Sequence, residues 1–160
     1  MKHPFSYILP ILLLLPFIPL HSRMAVSPDS ALYTHFVYMA GHANIVHWLI
    51  NGWALFVLHN LYKVSRLIVA YSLSVALSFV YYPDRPVLGA SVIVAFFTGF
   101  MMIWLYQRRR LVFWQIIILI TVGFFIPHVA AMYHLVMIIA GLIYNRLEWL
   151  AADYRYFTKR

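Results

Sequence analysis

Four polar side chains inside apolar stretches of this sequence carry groups suited to acyl-transfer chemistry: Ser91, His134, His47 and Asn51. A serine hydroxyl becomes a nucleophile when an adjacent base takes its proton, and a neutral histidine can take that proton and return it to a leaving amine. Amide and imidazole N–H groups can donate hydrogen bonds to an oxyanion where water is scarce. His47 and Asn51 are i and i+4, so they share one face of a helix. These residue types suit a hydrolytic site if the fold brings them together.

Each of these residues also has a plain structural interpretation. Gly89-Ala90-Ser91 is compatible with a small-residue packing patch, and His134 with Gly141 is compatible with a packing face that holds a satisfied histidine. The series of His42, His47 and Asn51 fits a wet helix that lines a cavity, or one half of a haem site. Three serines of the next apolar segment read as packing residues: Ser72, Ser74 and Ser78.

The composition places these residues in a membrane. Of the 160 residues, 64% are hydrophobic and only 10% are charged, and the mean hydropathy is +0.83. Soluble domains carry roughly a quarter charged residues, so the surface of this chain is expected to face lipid. The same counts exclude a disordered chain and a collagen-like fibre. The absence of cysteine excludes disulfides, a thiol nucleophile and cysteine-ligated metals.

The apolar segments predict an all-α membrane protein, because they are apolar all round and lack the alternation of a barrel strand. Six segments have the length of a membrane span, and together they make 1–160 a single transmembrane domain. They cover residues 5–21, 42–62, 66–82, 89–107, 111–126 and 129–145. The first has a charged start but no clear cleavage site, which favours a retained helix over a signal peptide. The basic and aromatic tail at 146–160 resembles an interfacial anchor.

The distribution of basic residues predicts the orientation. With the N-terminus inside the cell, only Arg23 and Arg85 of the 12 Lys and Arg residues lie outside. The positive-inside rule therefore favours cytoplasmic N- and C-termini. The ten residues on the cytoplasmic side are Lys2, Lys63, Arg66, Arg108, Arg109, Arg110, Arg146, Arg155, Lys159 and Arg160.

Helical rise predicts a common depth for the polar residues. At 1.5 Å per residue, Asn51 lies about 18 Å and His47 about 24 Å above Lys63. By the same measure Ser91 lies about 25 Å above Arg108, and His134 lies about 18 Å above Arg146. Three spans thus deliver four polar groups to the outer half of the bilayer. All four acids fall in loops or in the tail, so the sequence gives little support for an intramembrane proton relay or a carboxylate metal site.

The sequence resembles the rhomboid family of intramembrane serine proteases, in its minimal six-helix bacterial form, over residues 32–145. The residues from His42 to Trp53 match the second-span pattern H-x4-H-x3-N followed by small and aromatic residues. Gly89-Ala90-Ser91 resembles the start of the G-x-S-G motif of the fourth span. His134 and Gly141 match the sixth-span pattern H-x6-G.

The resemblance implies roles for the four residues. Ser91 corresponds to the nucleophile and His134 to its general base, and His47 and Asn51 correspond to the side chains that stabilise the oxyanion. With no buried acid, this is a Ser-His dyad rather than a triad. It implies no cofactor and no metal, no nucleic-acid partner, and single-pass transmembrane protein substrates cleaved near the outer face. The expected location is the bacterial inner membrane, as a multi-pass protein.

Several scaffold positions depart from the family pattern. Tyr33-Thr34 stands where members often carry Trp-Arg after the first span, and Lys63 falls within the altered G-x3-E-x3-G pattern. Val92 replaces the second glycine of G-x-S-G, and Ala95 replaces a usual tyrosine. Tyr133 and Met137 replace small residues around His134. These departures bear on the loop scaffold and on the close packing of the fourth and sixth helices.

Two further functions compete with the protease. The first alternative is a catalytically inactive rhomboid-like protein that binds membrane helices. The second is a haem or quinone carrier that uses His42, His47, His59 and His134. Retention of serine, two histidines and asparagine together favours the protease, because an inactive relative would not be expected to keep all four.

Overall fold

The computed structural model describes residues 21–42, 45–81, 86–125 and 130–157, and in these ranges the protein is all-helical. This confirms the predicted all-α class. Short helices α1 (His21–Met24) and α2 (Thr34–Val37) and the 3₁₀ turn Tyr38–Ala40 precede the long ones. The long helices are α3 (Ile45–Leu61), α4 (Val64–Val80), α5 (Ser91–Arg108), α6 (Arg110–Gly123) and α7 (Ala131–Phe157).

The five long helices overlap five of the six predicted segments, while residues 5–20 of the first segment lie outside the described residues. The largest difference is at α7, which runs past the predicted end at 145 to Phe157. Good helix formers such as leucine, glutamate and alanine follow Asn145 with no glycine or proline to stop the helix. The predicted interfacial tail is therefore a continuation of the last helix as far as Phe157.

Two helices of the described chain are long and apolar enough to cross a membrane, judged by length and composition: α5, and α7 over Ala131–Ala152. Helix α4 and the Ile45–Leu58 part of α3 are apolar but shorter. Large apolar side chains are strongly exposed on several helices, including Trp53 at 70% and Val80 at 81%. Soluble monomers rarely expose apolar surfaces of this extent, whereas lipid would shield such surfaces from water.

The chain divides into two compact units, residues 1–94 and 95–160. In the first unit, the segment before α3 is bound to α4. Tyr38 Oη donates a hydrogen bond to the carbonyl of Ser74 (3.1 Å), and Tyr71 Oη donates to the carbonyl of Phe36 (2.8 Å). His35 Nδ1 lies 3.0 Å from Ser78 Oγ. Ser78 thus has a specific partner, which its interpretation as a packing residue did not foresee.

In the second unit, two glycines bring α5 and α7 into backbone contact. A Cβ on Gly99 would collide with the carbonyl of Ile138, and one on Gly141 would collide with the carbonyl of Phe96. Asn145 Nδ2 also donates a hydrogen bond to the carbonyl of Phe100 (2.7 Å). The two helices therefore pack closely, although the sequence departs from the rhomboid pattern at Val92 and around His134. None of the described side chains of α6 is buried.

Candidate functional site

Helix α3 turns His47 and Asn51 toward the interior of the first unit. Asn51 is 3% exposed, and Leu55, four residues later, is fully buried. The opposite face is open, with Ile50 63% and Trp53 70% exposed. The i, i+4 spacing therefore places both polar residues on the buried side of the helix, as the sequence predicts.

The turn before α5 lies against these two side chains. Gly89 has φ = 109°, a left-handed backbone conformation that glycine adopts without strain. A Cβ at this position would lie 2.7 Å from Cε1 and 3.2 Å from Nε2 of His47, and 3.5 Å from Nδ2 of Asn51. The backbone angle favours glycine at this position, and a side chain here would also displace the His47 ring. Ser91, the first residue of α5, follows two residues later.

Tyr38 holds this turn in place. Its carbonyl accepts the Gly89 N–H (2.9 Å), and its hydroxyl anchors the same residue to α4. Its side chain is fully buried. Nearby, Val26 and Val87 exchange two backbone hydrogen bonds of 3.0 Å in an isolated antiparallel bridge. The segment before α3 therefore positions the turn that leads to Ser91.

Sequence reasoning did not identify Tyr38. Its main contribution is a backbone carbonyl that accepts a hydrogen bond from a residue far along the chain, and no local pattern of residue types indicates such a contact. The glycine of the turn was identified, but only as part of a motif.

Two buried polar atoms of this region lack a hydrogen-bond partner within the described part of the chain: Asn51 Nδ2 and His42 Nε2. His42 Nδ1 lies 3.0 Å from the carbonyl of Ala40, so Nδ1 carries the proton and Nε2 is an acceptor in the neutral ring. The His42 and His47 rings meet edge to face with centroids 5.4 Å apart. An unpartnered buried donor costs about 1–3 kcal/mol, so its retention calls for an explanation such as a ligand.

The other two predicted site residues lie near the starts of their helices. Ser91 is half-buried and is the first residue of α5. His134 is half-buried in the first turn of α7, and Tyr133 and Met137 of the same helix are buried. The structure thus brings His47, Asn51 and the turn before Ser91 together in the first unit, and His134 belongs to the second unit.

Comparison with known proteins identifies no relative: no family model, no curated protein and no solved structure matches this chain. The chemical interpretation of the site therefore depends on its residues and their geometry.

Proposed function

We propose that this protein is a rhomboid-like intramembrane serine endopeptidase. The observation that carries the proposal is the contact of His47 and Asn51 with Gly89, two residues before Ser91, together with the buried Asn51 Nδ2, which has no hydrogen-bond partner in the described chain. A donor held against the turn that leads to a serine suits an oxyanion hole, since preorganised donors act on charge that appears only during the reaction.

In the proposed reaction, the Ser91 hydroxyl attacks the scissile carbonyl while His134 takes its proton and later returns it to the leaving amine. The oxyanion accepts hydrogen bonds from Asn51 Nδ2 and from the His47 ring. The Gly89 N–H is not available for this role, because it donates to the carbonyl of Tyr38. The proposed oxyanion hole therefore uses the side chains of Asn51 and His47 and not the Gly89 N–H.

The pairing of Ser91 with His134 rests on the family resemblance and on the depth that helical rise gives each residue within its own helix. Ser91 lies about 25 Å above Arg108, and His134 about 18 Å above Arg146. The charge distribution predicts that both helices run from the outer to the inner face. Both residues are therefore expected in the outer half of the bilayer.

The proposed setting is the bacterial inner membrane, crossed six times with both termini in the cytoplasm. The two long apolar helices and the exposed apolar side chains support membrane insertion. The proposed substrates are single-pass transmembrane proteins, cut near the outer face. Water would reach this depth along the polar residues of α3.

The experiment is cleavage of a single-pass transmembrane substrate in proteoliposomes by the wild type, Ser91→Ala, His134→Ala and the double variant. Groups that act as one unit show non-additive losses, so all three variants are expected to fall to the same background. Ser72→Ala, which changes an exposed serine of α4, is the matched control and should retain wild-type activity.

Other outcomes would favour the alternatives. Cleavage by Ser91→Ala at the wild-type rate would remove the support for the assigned site. Substrate capture by wild type and variants alike, without cleavage, would favour an inactive helix-binding protein. A coloured preparation with a Soret band, lost in the histidine variants and retained in Ser91→Ala, would favour a haem carrier.

A further inference from the structure

A cavity lies in the second unit, between the end of α5 and the middle of α7. Its volume is about 310 Å³, and its lining combines polar and aromatic side chains. The lining residues are Ile103, Trp104, Gln107, Asn145, Arg146 and Trp149.

The polar groups of this cavity suit an anion that also carries hydroxyl groups. The Arg146 guanidinium lies 6.0 Å from the centroid of the Trp149 ring, within reach of a cation–π attraction, and it offers a planar set of donors. Asn145 Nδ2 donates a hydrogen bond to the carbonyl of Phe100. This bond sets the orientation of the amide, and Oδ1 is an acceptor. Gln107 adds a further donor and acceptor. A phosphate with a neighbouring alcohol matches this combination.

The apolar walls indicate that this anion belongs to a lipid. Trp104 and Trp149 are 53% and 57% exposed, and tryptophan favours the level of the headgroups, where its ring is half in lipid and half in water. Three more exposed arginines lie where α5 ends and α6 begins: Arg108, Arg109 and Arg110. Basic pockets between helices at the cytoplasmic side bind anionic headgroups.

We propose that this cavity binds the headgroup of an anionic glycerophospholipid of the cytoplasmic leaflet, with the phosphate on Arg146 and Gln107 and headgroup hydroxyls on Asn145. The first carbons of an acyl chain lie along Ile103 and Trp104. This lipid site rests on the proposed membrane insertion of α5 and α7, but not on the proposed proteolysis.

The test is native mass spectrometry of the full-length, detergent-solubilised protein titrated with phosphatidylglycerol, phosphatidylcholine or glycerol phosphate. The expected result is retention of phosphatidylglycerol at least about tenfold more strongly than phosphatidylcholine, and about tenfold weaker retention in Arg146→Gln, the equivalent of about 1.4 kcal/mol. Binding of glycerol phosphate as tight as that of the lipid would show that the acyl chain contributes nothing and would overturn the assignment to a lipid.

Arg66→Gln is the matched control, because the Arg66 guanidinium lies 5.7 Å from the centroid of the Tyr62 ring, in the first unit. Arg66→Gln removes the same charge and the same kind of cation–π contact, and it should leave lipid retention unchanged. Equal losses in both variants would mean that phosphatidylglycerol binds through net charge alone and would overturn the site. Arg146→Lys, which keeps the charge but loses the planar donors, should retain less lipid than the wild type and more than Arg146→Gln.

Two further measurements separate the possible failures. The helical circular dichroism of Arg146→Gln should match that of the wild type. If it does not, Trp149→Leu replaces Arg146→Gln in the test. This variant removes the aromatic partner of Arg146 and keeps the charge, and it is expected to weaken lipid retention. Retention unchanged in Trp149→Leu would overturn the proposal. The titration is repeated in Ser91→Ala, where an unchanged preference for phosphatidylglycerol shows that lipid binding does not depend on catalysis.

Discussion

Asn51 is the residue whose environment is hardest to explain without a ligand. Its side chain is 3% exposed and its Nδ2 has no acceptor within the described chain. An amide buried for structural reasons normally satisfies its donors. The unpaired donor beside the Gly89 turn therefore argues for a group that arrives with the substrate.

Replacing this amide should affect the reaction more than the fold. We expect Asn51→Ala to lower kcat about a hundred- to a thousand-fold, the usual effect of losing one oxyanion donor, while the thermal unfolding temperature in detergent changes little or rises. Asn60→Ala is the matched control on the same helix, because Asn60 is exposed and its Nδ2 is bound to the carbonyl of Phe56. Equal kcat values for the two variants would contradict the assigned role of Asn51.

At the level of single residues, the sequence indicated one half of this arrangement. The spacing of His47 and Asn51 is a local property of a helix, and it correctly places them on one face. Their contact with Gly89 joins positions about forty residues apart, so local periodicity alone does not predict it. Helical rise gave the two segments a common depth, and the family resemblance assigned them to one site, whereas no signal indicated that Tyr38 anchors the turn.

At the level of the helices, the contact between α5 and α7 depends on two glycines. A side chain at Gly99 or Gly141 would meet backbone atoms, which cannot move aside as a flexible side chain can. Such contacts let membrane helices gain packing energy from close approach. Gly141 belongs to the H-x6-G pattern that the sequence resembles. Gly99 was not singled out, because a single glycine in an apolar run does not reveal which helix it faces.

We expect Gly99→Val and Gly141→Val each to destabilise the protein by about 1–3 kcal/mol, the cost of forcing bulk into a close-packed interface. The measurement is thermal unfolding in detergent, followed by circular dichroism. Ala152→Val adds bulk at an exposed position of α7 and should leave the unfolding temperature unchanged. An unchanged unfolding temperature in both glycine variants would show that the helices do not need this close approach.

Helix positions were predictable because the apolar segments are separated by short polar breaks, whereas helix ends were less so. Helix α7 shows why: the hydropathy falls after residue 145, but helix propensity does not, and the backbone follows propensity. A boundary drawn where the chain leaves the apolar core of the membrane is therefore not the boundary of the helix.

For the whole molecule, the orientation in the membrane decides whether the site is in the correct leaflet. The ten-to-two distribution of basic residues predicts that a reporter fused after residue 160 is cytoplasmic and that one inserted at 82–86 is external. Paired alkaline phosphatase and fluorescent protein fusions measure this. A cytoplasmic reporter at 82–86 would put Ser91 at the inner face and contradict cleavage near the outer face.

The central claim is that Ser91 is an activated nucleophile, and its most direct test is labelling of the detergent-solubilised protein with a fluorophosphonate probe, followed by mapping of the modified peptide. Such probes react with serines whose hydroxyl is activated by a base. The account predicts labelling at Ser91 in the wild type, loss of labelling in His134→Ala, and no labelling of other serines in Ser91→Ala. A wild-type protein that remains unlabelled, or is labelled equally in His134→Ala, would contradict it.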